Sequence, residues 1–166
     1  KLSRDLSHRV EAHLRDGQQL RAQAQKLSTG IEELRTKSFA AFDGQQKEEG
    51  EKHWARVLEL TQELDELLGR SSQAFEAAVT LDAARQDSRN LLGDVLLQRA
   101  LLADRERWQA KLRDLTARMV LYDADGSRER LWNSPARLTL TTPLAGVEVR
   151  MARYQEDAQH RFAQTD

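Results

Sequence analysis

The chain has 166 residues, a formal net charge of −1 and no cysteine, and this length suits one domain or one domain with an appendage. The missing cysteines exclude a disulfide framework, a thiolate zinc site and a cysteine nucleophile. The balanced charge argues against nucleic-acid binding, because a protein that binds nucleic acid needs a basic surface. No run reaches the roughly 18 apolar residues of a membrane-spanning helix, and none has the pattern of a signal-peptide core.

The positions of the prolines divide the chain. Proline breaks helix interiors, and the first one, Pro135, follows 134 residues without any. Charged residues make up 32% of the chain and aromatic residues only 5%, which is typical of helix-rich proteins. We therefore expect a helical body over residues 1–123 and a different piece over 124–166. Because the sequence begins with Lys1 rather than Met, we also expect a part of a longer protein.

Apolar residues recur every three or four positions from Leu2 to Phe42, which predicts a helix with one apolar stripe. At 1.5 Å per residue such a helix is roughly 60 Å long. One heptad row of the stripe contains Val10, Gly17, Ala24, Ile31 and Ser38, and the adjacent row contains Leu6, His13, Leu20, Leu27, Leu34 and Ala41. Asp43 and Gly44 predict the end of the helix, with Gly44 in the left-handed position after the last turn.

A second long helix is predicted from about residue 46 to Leu81, again from a seven-residue repeat. One row contains Trp54, Thr61, Leu68 and Phe75, and its neighbour contains Val57, Leu64, Ser71 and Ala78. A short turn between two long helices makes them antiparallel neighbours. Residues 2–81 are therefore predicted to form a helical hairpin with a coiled-coil-like seam.

Six apolar residues of the first helix form the candidate interaction seam: Leu6, Val10, Leu20, Leu27, Ile31 and Leu34. Hydrophobic residues at heptad spacing pack against a second helix. That helix belongs either to the same chain or to a second copy, and the sequence leaves both alternatives open. The expected partner is accordingly a protein, including a second copy of this chain in a homodimer.

Residues 82–123 contain two apolar helix faces, separated by the charged residues 104–107. This pattern predicts either two helices or one bent helix. The segment Asp123-Ala-Asp-Gly126 has turn chemistry and is predicted to end the helical body.

The last segment alternates polar and apolar residues over 137–142 and over 147–151. A two-residue period rich in Thr and Val predicts strands, with residues 143–146 as the hairpin connection. Residues 155–166 predict either a frayed end or one more short strand. The predicted fold class is mainly α, with a long antiparallel coiled-coil-like hairpin, a second helical pair and a small C-terminal β-hairpin.

Part of the helical body resembles tetratricopeptide (TPR) repeats. The end of a second repeat helix is matched by Phe75, Ala78, Leu81 and Asp82, and Leu92-Gly93 matches the pair that opens the next repeat. Where that family usually has Pro and Trp, this chain has Ala83 and Arg89. The resemblance covers one degenerate junction and implies a TPR-like helical pair within residues 75–122.

Three arginines of this segment are the candidate groove residues: Arg99, Arg105 and Arg113. The TPR-like resemblance implies a concave groove that binds a peptide or a small ligand. Acidic residues are interspersed among these arginines, and mixed charges more often form ion pairs than a phosphate site.

From Leu34 onward the chain resembles the linker region of certain bacterial serine/threonine protein kinases. The matching stretches are residues 39–44, 75–82, 91–103 and 120–126, and residues 137–149 resemble the start of a PEGA-type β module. Proteins of this layout carry an N-terminal kinase and often a C-terminal formylglycine-generating (sulfatase-modifying) domain. This chain has no Gly-rich nucleotide loop and no His-Arg-Asp loop. The resemblance therefore implies a parent protein, not a kinase activity of this segment.

No combination of residues predicts catalysis or a metal site. His8 and His13 are about 140° apart around a helix and do not share a face. The Asp123-Ala-Asp-Gly126 segment lacks the remaining ligands of a calcium loop, which favours a helix-ending turn. Paired carboxylates, as at positions 48 and 49, are typical of a solvated helix face, because catalysis needs them in an apolar cleft. No catalytic residue, cofactor or metal is expected.

These observations predict a non-catalytic helical interaction module that acts as stalk, spacer or dimerisation relay of a bacterial serine/threonine protein kinase. The alternative is a TPR-like sensor that binds a peptide or a small ligand. An enzyme is disfavoured because no nucleophile–base pair or metal cluster is apparent. The sequence does not determine the localisation. The resemblance implies a bacterial parent anchored in a membrane, with this region on either side.

Overall fold

A computed structural model describes residues 2–135, 137–143, 146–156 and 162–165. The chain divides into two compact units, Lys1–Ser134 and Pro135–Asp166, which are described separately. The fold is mainly helical, and its largest feature is a pair of long helices that pack against each other. The predicted mainly α fold class is confirmed.

The helical hairpin consists of α1 (Leu2–Asp43) and α2 (Lys47–Leu81). The turn between them differs from the prediction, because Gln45 and not Gly44 takes the left-handed conformation, with a φ of 61°. The Gly44 N–H still donates to the Ala40 carbonyl within the last helical turn. The Gln46 N–H then donates to the Ala41 carbonyl at 2.8 Å, which is the bond pattern of a Schellman cap around Gln45.

The predicted heptad rows meet inside the hairpin. The first row of α1 is buried throughout: Val10, Gly17, Ala24, Ile31 and Ser38. It faces the buried row Val57, Leu64, Ser71 and Ala78 of α2. The polar members of both rows are paired, since Ser71 Oγ donates to the Gly17 carbonyl and Ser38 Oγ to the Gly50 carbonyl, each at 2.8 Å. Buried hydroxyls with such partners avoid the cost of desolvation.

Two helical glycines make room for aromatic rings of the opposite helix. A Cβ atom at Gly17 would lie 2.5 Å from the Phe75 ring, and one at Gly50 would lie 2.5 Å from the Phe42 ring. Both distances are far inside van der Waals contact, so a larger residue would force the rings to move. A glycine inside a helix costs about 1 kcal/mol relative to alanine, and here ring packing offsets that cost.

Three shorter helices complete the first unit: α3 (Gln86–Arg105), α4 (Gln109–Val120) and α5 (Ser127–Trp132). The segment over 82–123 therefore forms two helices, not one bent helix. The break is a second Schellman cap, with Arg107 at a φ of 58° and the Trp108 N–H bonded to the Ala103 carbonyl. Helix α3 is the centre of this part of the core, with Leu92, Val95, Leu96 and Ala100 fully buried.

The second unit contains one short antiparallel ladder, β1 (Arg153–Glu156) and β2 (Phe162–Thr165), with Arg153 opposite Thr165. The strands predicted over 137–142 and 147–151 are wrong, because the described residues there form no strand. Residues 144 and 145 of the predicted connection, and residues 157–161 and 166 of the last segment, lie outside the described residues.

The physical reason is a lack of burial. An alternating pattern forms a strand when something covers its apolar side, and two strands alone are marginal in water. The apolar side chains of the predicted strands are all exposed: Leu138, Leu140, Val147, Val149 and Met151. The alternating apolar side chains over 137–151 therefore do not form a buried face in this unit.

Candidate functional site

The six residues of the predicted seam do not form one surface. Val10 and Ile31 are only 2% and 0% exposed, and they belong to the core between α1 and α2. Leu6 is exposed. The remaining three are half-buried: Leu20, Leu27 and Leu34. Within this chain the hairpin uses one heptad row fully and leaves its neighbour partly accessible.

The half-buried leucines lie on the side of the hairpin away from α3. At 100° per residue, they are about 40–60° to one side of the buried row, and Arg21 and Arg35 are about 40–60° to the other side. Arg21 Nη1 lies 3.5 Å from Asp94 of α3, and Arg35 Nη2 lies 2.6 Å from Glu106 just after α3. Helix α3 thus packs along the arginine side.

Residues of α2 share the leucine side. A shallow depression of about 510 Å³ is lined by residues of both helices, including His13, Asp16 and Leu20 of α1 and Arg70 and Ala74 of α2. Leu67, one turn before Arg70 on the same row as Ala74, is half-buried against the core. We call this surface the open face and define it by Leu20, Leu27, Leu34, Leu67 and Ala74.

Gly30 lies beside the leucine row of the open face and differs from Gly17 and Gly50. It lies between Leu27 and Leu34 on the helix surface, three residues after one and four before the other. A Cβ atom at Gly30 would meet no atom of the described chain within 4 Å. No contact with the described residues therefore requires a glycine at this position.

The three candidate groove arginines are not brought together. Arg105 reaches α1, where it pairs with Glu32, and it also contacts Glu106 at 3.3 Å. Arg113 is exposed on α4. Arg99 is half-buried and faces Gly69 of α2. These arginines belong to different contacts, so they do not line a single groove.

A cavity of about 310 Å³ lies between α1, α2 and α3, with Arg105 at its rim. Its inner wall is apolar and contains Ala24, Leu64, Leu68 and Leu102, and the other lining residues are Gln25, Ser28, Gln98 and Leu101. Gln98 already accepts a hydrogen bond from Arg21 Nε at 3.1 Å. The Arg105 charge is compensated by Glu32 and Glu106.

A cluster at the other end of α3 was missed by the sequence analysis. Arg128 of α5 is 9% exposed and binds Asp94 through Nε and Nη2 at 2.9 and 2.6 Å. The same guanidinium donates to the Asn90 carbonyl at 2.8 Å and lies 3.3 Å from Asp123. Its stem lies over Gly93, where a Cβ atom would be 2.8 Å from Nε. Gly93 therefore makes room for the side chain with which α5 docks.

The Asp123-Ala-Asp-Gly126 segment is a helix cap. The Asp123 carboxylate accepts the N–H groups of Arg128 and Glu129, at 3.2 and 2.8 Å. Asp125 accepts the Ser127 N–H at 3.0 Å, and hydrogen bonds from Ser127 lower the pKa of Asp125. Gly126 takes the left-handed conformation with a φ of 67°. The carboxylates that resemble the start of a calcium loop thus accept hydrogen bonds from the first N–H groups of α5.

A smaller network joins the start of α3 to α1. Arg85 pairs with Asp87 at 2.8 Å and with Glu11 at 2.6 Å. Hydrogen bonds to these two carboxylates raise the pKa of Arg85, and the Arg85 bond lowers the pKa of Asp87. These groups are solvent-facing, and surface pairs of this kind contribute little to stability.

Among the residues that the structure describes, no group of three or more His, Asp or Glu side chains is placed to hold a metal ion. None of the helices in the described ranges has a stretch long and apolar enough to cross a membrane. Comparison with known proteins found no matching family model, no matching curated protein and no matching solved structure.

Proposed function

We propose that the chain is a non-catalytic helical interaction module that associates with a second copy of itself through the open face. One observation supports this proposal above all. The hairpin buries one heptad row completely, while the row of Leu20, Leu27 and Leu34 stays half-buried on the side without α3. Apolar residues at a strict seven-residue spacing are the pattern of helices that pack against another helix.

Gly30 supports the same surface. A glycine inside a helix costs about 1 kcal/mol relative to alanine, and no contact within the described chain explains it here. On the proposed surface it leaves a dip between Leu27 and Leu34, in which a helix of the partner approaches closely. Small residues at helix crossings allow such approach, and a leucine ridge on each side fixes its position.

The charges beside the leucine row favour a second copy. Asp16 lies 11 residues before Leu27 and Lys37 lies 10 residues after it, both exposed. Neither forms an ion pair within the described part of the chain. A two-fold axis near Leu27 would place Asp16 of each copy beside Lys37 of the other, because a symmetric interface uses the same patch twice.

The test is the molar mass of the 166-residue chain, measured by light scattering over a concentration series. We expect a concentration-dependent dimer. Leu27→Glu should give a monomer, because a charge at the centre of the interface is left unpaired. The matched control is Leu121→Glu, since Leu121 is also exposed and lies outside the open face. A wild-type monomer at every concentration would refute self-association, and a dimer that survives Leu27→Glu would refute this surface.

The resemblance to kinase linkers gives this association a role, which is part of the same proposal. Two linked kinase domains held by the module would have an effective concentration near the millimolar range, and this favours phosphorylation of one copy by the other. In a longer kinase-bearing chain, Leu27→Glu should therefore slow autophosphorylation at low protein concentration. An unchanged rate would show that the module acts only as a spacer.

A further inference from the structure

A gap separates α1 from α3 in the middle of the helical unit. Helix α3 packs closely along α2, whereas long polar side chains join it to α1. Two of these bridges border the gap. Arg21 Nε donates to the Gln98 side chain at 3.1 Å, and 11 residues further along α1 Glu32 pairs with Arg105. At 1.5 Å per residue the two bridges are about 16 Å apart. The cavity of about 310 Å³ opens between them, and α2 forms its floor.

Short side chains on α1 keep this gap open. Ala24 and Ser28 line its α1 side, and neither reaches across to α3. The inner wall contains three leucines that are only 4–5% exposed: Leu64 (4%), Leu68 (5%) and Leu102 (5%). Protein interiors are normally packed with few voids larger than a water molecule. Water above these leucines would find few hydrogen-bond partners, so an apolar group that displaces it is favoured.

The mouth of the cavity is polar, and its charge is compensated. Arg105 is the charged residue among those that line the cavity, and both Glu32 and Glu106 pair with its guanidinium. Ser28 and Gln98 add uncharged polar groups. Neither Ser28 Oγ nor Gln98 Nε2 forms a hydrogen bond to a residue in the described ranges. A neutral polar group suits this mouth better than an ion, because a cation would meet Arg105 and an anion the two glutamates.

We propose that this cavity binds a small neutral molecule with an apolar body and one hydroxyl or carbonyl group. The body packs on the leucines of the inner wall, and the polar group bonds to Gln98 Nε2 or Ser28 Oγ at the mouth. Ligand pockets are typically about 300–1,000 Å³, mostly apolar with a few polar groups, and are common between the helices of bundles. A peptide segment suits the cavity less, because its polar backbone would have to follow the side chain between α1 and α3.

The proposal does not rest on the proposed dimer. The cavity lies on the α3 side of the hairpin, and none of its lining residues belongs to the open face. Leu27→Glu, which should abolish the dimer, should therefore leave the affinity for the small molecule unchanged. A failure of one proposal is thus distinguishable from a failure of the other.

The first experiment titrates the 166-residue chain with three probes of one two-ring body: 2-naphthalenemethanol, 2-naphthoate and 2-naphthylmethylammonium. Carbon–proton NMR follows the leucine methyl groups. We expect saturable shifts at Leu64, Leu68 and Leu102 with the alcohol, and at least about tenfold weaker binding of both ions, because their charges are desolvated without a free counter-charge. The methyl groups of Leu20 and Leu27 on the open face should not shift. Equal affinities for the three probes, shifts spread over the open face, or no saturable response to the alcohol would each overturn the proposal.

The second experiment fills the cavity from within the chain. Ser28→Phe places a ring in the gap. Thr29→Phe is the matched control, since Thr29 is exposed and does not line the cavity. We expect Ser28→Phe to lose binding of 2-naphthalenemethanol and to melt at a higher temperature than Thr29→Phe, which retains binding. Binding that survives Ser28→Phe, or that both variants lose, would overturn the proposal.

A third variant tests the polar group at the mouth. Gln98→Met keeps the length of the side chain and removes its amide, so it should weaken binding of the alcohol about fivefold through the loss of one hydrogen bond. The same variant should leave the leucine methyl shifts at saturation in place, because the apolar wall is unchanged. An unchanged affinity would show that Gln98 does not bind the polar group and would overturn its assignment.

Discussion

The two sides of the α1–α2 hairpin are built differently although both come from heptad rows. On the α3 side, long polar side chains reach across to the neighbouring helix, as in the pairs Arg21–Asp94 and Arg35–Glu106. On the open face, the corresponding positions are leucines that pack only partly. The edge of the hairpin that contacts α3 therefore carries charged side chains. The leucine edge is the one for which the helical unit provides no covering helix.

The aromatic contacts on the α3 side extend this contrast to the end of the hairpin. The Arg35 guanidinium lies 5.6 Å from the centre of the Trp54 ring, and the Phe39 ring lies 5.9 Å from it. Arg35 also pairs with Glu106. Arg35 of α1 thus contacts both a ring of α2 and the residue that follows α3. Nothing comparable was found on the open face within the described residues.

The largest difference is expected between a covered core residue and an open-face leucine. Phe75 is 0% exposed and fills the space left by Gly17. Phe75→Ala should lower the free energy of unfolding by about 3–5 kcal/mol, since a buried ring is replaced by a cavity. Leu27→Ala should lower it by about 1 kcal/mol because Leu27 is only half-buried. Urea unfolding at low protein concentration measures both, and equal losses would show that the open face is as well packed as the core.

The next effect concerns the two kinds of ion pair. Arg128 is buried and contacts Asp94 and Asp123 together, whereas Arg105 is exposed and pairs with Glu32. Arg128→Met should cost about 3 kcal/mol, because removing one partner leaves a buried carboxylate uncompensated. Arg105→Met should cost less than about 1 kcal/mol. Thermal unfolding of the two variants checks the order, and a larger loss at Arg105 would contradict it.

Much of the hairpin was predictable, because a seven-residue period directly reports which side of a helix is buried. The rows through Val10 and Ile31, and through Val57 and Leu64, are buried as the spacing indicates. The period could not tell whether a neighbouring row is covered by the same chain. That depends on where α3 lies, and contacts such as Arg35–Glu106 join positions 71 residues apart.

Two other features were beyond the sequence for separate reasons. The role of Arg128 depends on the cap at Asp123, which places α5 so that Arg128 lies over Gly93. No local sequence pattern predicts this position of α5. The β-ladder was expected within residues 137–151 but forms between Arg153–Glu156 and Phe162–Thr165. Alternation predicts a strand only where a second surface buries it, and a short sequence does not reveal that surface.

The glycines of α1 provide a sharper test of the difference between the covered row and the open face. At Gly17 a methyl group would lie 2.5 Å from the fully buried Phe75 ring. Gly17→Ala should therefore lower the free energy of unfolding by about 1–2 kcal/mol through overpacking. Gly30→Ala meets no atom and should raise it by about 0.5–1 kcal/mol through helix propensity. Chemical unfolding of both variants measures these changes. A lower free energy of unfolding for Gly30→Ala would indicate a contact at Gly30 that the monomer does not show.

A charge exchange tests the register of the proposed dimer. If Asp16 of one copy lies beside Lys37 of the other, Asp16→Lys should weaken association by repulsion, by about 1 kcal/mol for the two symmetric contacts. The double variant Asp16→Lys with Lys37→Asp restores opposite charges and should recover the wild-type dissociation constant, whereas each single variant should not. The comparison is made by analytical ultracentrifugation at low salt, where exposed charges act most strongly. Additive weakening in the double variant would mean that the two residues never meet, and the two-fold axis would then lie elsewhere on the open face.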